Sequence, residues 1–91
     1  MIQLTEIIET TAGKYMVRLV YLNPTQVVMV REDVRLGSVM AEGKLDLGFT
    51  PNMRFSRLTV RGGTSNYDVT VAGDPTMVYE KVNASKTLLK G

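Results

Sequence analysis

The sequence predicts a β-rich α+β domain: about five antiparallel strands in a meander, a C-terminal helix, and a short helix or loop insertion between strands 3 and 4. Three observations predict it. β-Branched and aromatic residues are concentrated at 15–22 and 26–32. A clean two-residue alternation runs over 55–61 and returns at 67–72 across a glycine-rich turn. Gly73-Asp74-Pro75 then opens a stripe of apolar residues at helical spacing.

The first strand, over 1–8, rests on Ile2, Leu4 and the Ile7-Ile8 pair, and Gly13 supplies the turn after it. Tyr15-Met16-Val17-Arg18-Leu19-Val20-Tyr21-Leu22 is the second strand. Asn23-Pro24 ends it, because proline fixes its own φ and pushes the preceding residue towards extended geometry. Val27-Val28-Met29-Val30 is a continuous apolar run, which predicts a third strand, 26–32, covered on both faces.

From 33 to 54 the pattern changes. Residues 33–42 read as a short helix containing Gly37, followed by an irregular stretch with Gly43, Gly48, Pro51 and Asn52. That stretch reads either as an ordinary surface excursion or, because Leu45, Leu47 and Phe49 would otherwise face water, as a lid or an oligomer contact. Residues 55–61 and 67–72 pair as a hairpin. Asp74 caps the following helix and Pro75 takes its first position, where a missing N–H does no harm. Val78 and Val82 face the core at i, i+4. The tail from 83 to 91 extends that helix, frays or docks on a partner.

Ninety-one residues make one small domain, 1–91, with a modest core and no cysteine to reinforce it. The chain has neither histidine nor cysteine, so Ser–His and Cys–His dyads cannot be written and a metal site would need carboxylates alone. This inventory predicts a binding protein rather than an enzyme, with no cofactor and no metal. A formal charge of +2 is too mild to imply a polyanion partner by bulk charge. No apolar window is long enough for a membrane span, and the N-terminus lacks a signal-peptide pattern, so the expected location is the cytoplasm.

The most suggestive constellation is the face Arg57–Thr59–Arg61. Residues two apart project from one side of a strand, so two guanidinium forks about 13 Å apart are placed to grip phosphates. Arg31 and Arg18 join them if the neighbouring strands align. Tyr67 or Phe55 beside Arg57 is a candidate for stacking a base. A merely solvated outer face gives the same alternation. Gly62-Gly63-Thr64-Ser65-Asn66 joins two strands rather than a strand and a helix, so it reads as a hairpin loop and not a phosphate cradle. Glu32-Asp33, adjacent in an extended segment, point apart and read as a solvated pair.

Met1-Ile2-Gln3-Leu4-Thr5, Leu22-Asn23, Val27-Val28-Met29-Val30, Leu58-Thr59-Val60, Gly62-Gly63, Val69-Thr70-Val71 and Met77 to Val82 follow one another in an order that resembles small flagellar FlbD-like proteins and related phage-encoded frames. The insertion from Asp33 to Arg54 departs from that pattern and is similar to phage anti-Thoeris proteins of the sponge type. The resemblance implies a homo-oligomer in the host cytoplasm that sequesters an anionic, cyclic-nucleotide-like immune signal in pockets between subunits. From the face argument, Arg31, Arg57, Thr59, Arg61 and Tyr67 are the expected ligand-binding residues. The alternatives are a nucleic-acid-binding regulator using the same arginines, and a structural or protein-interaction accessory using the insertion.

Overall fold

Alternation of apolar and polar side chains builds five strands, and the pairing of those strands decides which apolar set is buried. The computed structural model describes residues 1–10, 14–41 and 53–90, with side chains for all of these except 40, 41 and 86–90. The strands are β1 (Ile2–Glu9), β2 (Tyr15–Leu22), β3 (Val27–Glu32), β4 (Phe55–Gly62) and β5 (Ser65–Ala72). Helix α1 (Val34–Ala41) follows β3, and helix α2 (Pro75–Lys90) follows β5.

All neighbouring strands are antiparallel, in the order β2-β1-β5-β4-β3. The expected five-stranded sheet with its terminal helix and short inserted helix is therefore present. The meander runs through β3, β4 and β5; the β1–β2 hairpin joins at β5, so β2 and β3, consecutive in the chain, form opposite edges.

Only residues 23–26 connect those edges, and three of them form a 3₁₀ turn, Pro24–Gln26. With a rise of roughly 2 Å per residue in the turn and 3.4 Å elsewhere, the link spans about 14 Å at most. A flat five-stranded sheet would hold its edges about 19 Å apart. The sheet is therefore curled, and its concave face wraps a core. The Asn23 side chain accepts bonds from both the backbone and the hydroxyl of Thr25, which fixes the turn, and Pro24 is buried beneath it.

The core on the concave face unites Ile2, Leu4, Leu22, Val27, Leu58, Val60, Val69 and Val71 with Val78 and Val82 of α2. Asp74 starts α2 as expected: its carboxylate accepts the Met77 N–H at 3.0 Å and its carbonyl accepts the Val78 N–H. Gly73 before it has φ +121°, a conformation that excludes other residues, and a Cβ there would press on Met77. The helix continues through the segment 83–90 that the sequence left between helix and free tail.

A smaller core lies on the convex face, where α1 sets Leu36 against Ile7 and Phe55, with Tyr15, Val39, Met53 and Ala72 around them. Phe55 is wholly buried there, so it has no surface for stacking a base.

β3 departs from expectation. Val28 and Met29 are 51% and 46% exposed, so the strand is not covered on both faces. It is an edge strand, and a bulge between Val27 and Met29 shifts the register. The extra residue lets Val27, opposite Val60, and Val30, opposite Leu58, both reach the core at a spacing of three. A continuous apolar run is thus produced by a bulge, not by two-sided burial.

Leu58→Ala, which empties a fully buried position, should lower unfolding stability by about 3 kcal/mol in urea titrations. Leu19→Ala, on the exposed convex side of β2, should change the stability of the isolated chain by no more than about 0.5 kcal/mol.

Candidate functional site

Over β3, β4 and β5 the convex face outside the α1 contact is mostly polar, and the pairing of β3 with β4 gives this part its character. Arg31 lies directly opposite Arg57. Cross-strand neighbours have Cβ atoms about 5 Å apart, and like charges so placed repel. Each guanidinium is balanced by its own carboxylate. Arg31 Nη2 donates to Asp68 Oδ2 of β5 at 3.2 Å, and Arg57 Nη2 donates to Asp33 Oδ2 at 3.1 Å. Thr59 Oγ1 donates to the other Asp68 oxygen at 2.9 Å, so Arg31, Asp68 and Thr59 form one chain of bonds across three strands.

Asp33 is the pivot. It is 7% exposed, and its backbone N–H is bound by the Phe55 carbonyl. Its Oδ1 accepts the Leu36 N–H at 3.0 Å, capping α1, while Oδ2 holds Arg57. A buried carboxylate is tolerable only with such bonds. One side chain therefore starts the helix, attaches it to the sheet and orients Arg57. This corrects the reading of Glu32-Asp33 as a solvated pair. The two do diverge, but Glu32 meets Arg54 outside while Asp33 turns inward.

Arg31, Glu32, Asp33, Val34, Arg35 and Arg57 line an open groove of about 370 Å³. Arg57, Asp33 and Arg35 also border a smaller cavity of about 90 Å³ that reaches Ile7, Tyr15 and Thr70 beneath α1. Three guanidinium groups thus share one depression. Arg31 and Arg57 each commit a single nitrogen to a carboxylate, leaving further donors of the planar fork for a ligand. Arg35 bonds Glu9 at 3.4 Å, and the Glu9 carboxylate beside it holds its pKa above the ordinary value. Arg54, bound to Glu32, is likewise raised, while Glu32 is lowered, chiefly by the hydrogen bond from Arg54.

The expected site residues separate into groups. Arg31, Arg57 and Thr59 come together. Arg61 shares their face but lies beside Asn66 near the β4–β5 turn and does not line the groove. Tyr67 is opposite Val60, whose side chain faces the core, so its pairing puts it on the other side of the sheet from the arginines; it is half exposed there. That correction follows from register, since Tyr67 shares parity with Val69 and Val71. Arg18 pairs with Glu6 on the β1–β2 side. Leu45, Leu47 and Phe49 lie outside the described residues. Arg35 and Asp33 went unrecognised as site residues; an aspartate immediately before a helical segment was the available signal.

Among the described residues, no group of three or more histidine, cysteine or acidic side chains is placed to hold a metal ion. Among the described residues, no helix is long and apolar enough to cross a membrane.

Asp33→Ala should cost about 2 kcal/mol by thermal or chemical unfolding, whereas Asp33→Asn, which keeps the capping oxygen, should cost about half of that. Because the Glu32 pKa is lowered in the folded chain, its contribution to stability is present at neutral pH and is lost as pH falls through that lowered value. Glu32→Gln should therefore flatten the acid limb of a stability–pH curve. Compared with protein-family models, with curated proteins and with solved structures, the chain matches none.

Proposed function

We propose that the chain is a small non-enzymatic binding protein, assembled as a homo-oligomer, that takes a compact phosphate-bearing anion of nucleotide type in the Arg31–Arg35–Arg57 groove. The observation that carries this reading is the Arg31–Arg57 cross-strand pair. Two like charges set directly opposite one another are unfavourable for the fold alone, and a third guanidinium borders the same depression. Exposed ion pairs such as Arg31–Asp68 and Arg35–Glu9 contribute at most about 1 kcal/mol. A phosphate offering bidentate acceptors can exchange with such carboxylates at little cost. Arg57 stays in place during that exchange because Asp33 anchors it from behind.

A compact ligand suits the charge distribution better than an extended nucleic acid. The cations are interleaved with Glu9, Glu32 and Asp68, and a strand passing beyond the groove would meet these carboxylates. Self-assembly, an anti-defence role in a phage-infected cytoplasm and sequestration of a cyclic nucleotide signal form the finer version of the proposal. They are supported by the small core and by the resemblance to sponge-type proteins.

Isothermal titration with ADP-ribose, a cyclic dinucleotide panel and inorganic pyrophosphate tests the reading. Binding by at least one of them is expected, weakened about tenfold or more by Arg31→Ala or Arg57→Ala and unchanged by Arg61→Ala. Silence across the panel would remove the ligand. Affinity confined to oligonucleotides, with a steep salt dependence, would move the function to nucleic-acid binding.

A further inference from the structure

The two edges of the sheet are unlike each other, and among the described residues no helix or further strand covers β2. β3 carries the bulge at Val28, ends in the charged pair Arg31-Glu32 and packs against α2. Bulges, charges and covering helices are the usual means of keeping an edge strand from pairing further. β2 has neither a bulge nor a proline, and its one charge, Arg18, is bound at 2.8 Å to Glu6 of the adjacent strand.

The phase of the free edge follows from the β1–β2 turn. Thr10 N–H donates to the Lys14 carbonyl at 2.7 Å, so the pairs at every second step from it exchange the backbone bonds between β1 and β2. Those pairs are Ile8–Met16, Glu6–Arg18, Leu4–Val20 and Ile2–Leu22. Tyr15, Val17, Leu19 and Tyr21 therefore aim their N–H and C=O groups away from the sheet. Their side chains share the convex face, where Val17, Leu19 and Tyr21 are 40%, 59% and 59% exposed.

Which strand fits this edge is written in its own order of residues. Tyr15-Met16-Val17-Arg18-Leu19-Val20-Tyr21 is nearly palindromic in chemistry about Arg18. We propose that β2 pairs antiparallel with β2 of a second copy about a two-fold axis at Arg18, joining two five-stranded sheets into one. In that register Tyr15 meets Tyr21 of the copy and Val17 meets Leu19, so every outward backbone group finds a partner and the exposed apolar stripe packs sideways against the same stripe of the copy. Met16 meets Val20 on the concave side. Arg18 meets its own copy, and the Glu6 carboxylates flanking the two guanidinium groups neutralise that contact. A strand of unrelated sequence would satisfy the backbone but not this side-chain symmetry. The inference rests on the oligomeric half of the proposed function and is independent of the anion.

The test uses the full chain, which lacks cysteine, in two measurements. Sedimentation should show a dimer or a multiple of it, and Val17→Lys with Leu19→Lys should raise its dissociation constant about a hundredfold. Circular dichroism of the variant should stay unchanged, because both side chains are already exposed. Under mild oxidation, Arg18→Cys should crosslink, since directly opposite residues without mutual backbone bonds hold Cα atoms about 4.5 Å apart, within disulfide reach. Leu19→Cys should not, its copy lying two residues along the strand from the position opposite it, a diagonal neighbour. Crosslinking at Leu19 instead of Arg18 would overturn the register. An oligomer indifferent to the lysines and to Arg18→Cys would overturn this interface while leaving assembly in place. A wild-type monomer would overturn both.

Discussion

The four residues between Leu22 and Val27 impose the constraint on which the remaining architecture depends. They join the two outermost strands of a five-stranded sheet, and a link that short cannot cross a flat one. Curling brings Ile2, Leu22, Val27 and Val60 together in a single cluster, and it creates the concavity that α2 fills with Val78 and Val82. The bulge in β3 belongs to the same solution. An edge strand that must bend towards its distant neighbour gains twist from an inserted residue, and Val27 and Val30 can then both point inward.

Curling one way leaves a convex face that, among the described residues, no second large helix covers. Helix α1 shields one end of it, held by Asp33, which caps the helix and grips Arg57. The cap, the helix–sheet attachment and the arginine's orientation are therefore a single arrangement, and the groove inherits its rigidity from a helix start. Beyond it, over β3, β4 and β5, the convex face carries matched charges, and further ion pairs lie on the other face and at α1. The arginines alone suggest a positive patch, but in the structure nearly all of them are matched: Arg18 with Glu6, Arg31 with Asp68, Arg35 with Glu9, Arg54 with Glu32 and Arg57 with Asp33. This balance agrees with the slight net charge and favours a small anion that exchanges with carboxylates over a long polyanion.

The contrast between edges adds a second functional dimension. A curled sheet that stops short of closure keeps two free strands, and unprotected edges are hazards that proteins ordinarily blunt. Here one edge is blunted and the other is apolar, regular and self-complementary. The proposed anion groove on β3–β4 and the proposed assembly edge on β2 lie on opposite sides of the sheet's middle strands, so the two proposals do not call on the same residues.

Local chemistry was legible in the sequence by itself. Period-two alternation fixed β4 and β5, Asn23-Pro24 marked the turn, and Asp74-Pro75 marked the start of α2, because each depends on residues within a few positions of one another. The shared face of Arg57, Thr59 and Arg61 was legible for the same reason. Strand order, the burial of Asp33 and Phe55, the meeting of Arg31 with Arg57 and the placement of Tyr67 across the sheet from the arginines were decided only by tertiary pairing. Each of those outcomes depends on which distant strand lies alongside and in what register, and an alternating pattern states that a strand has two faces without stating what either face will meet.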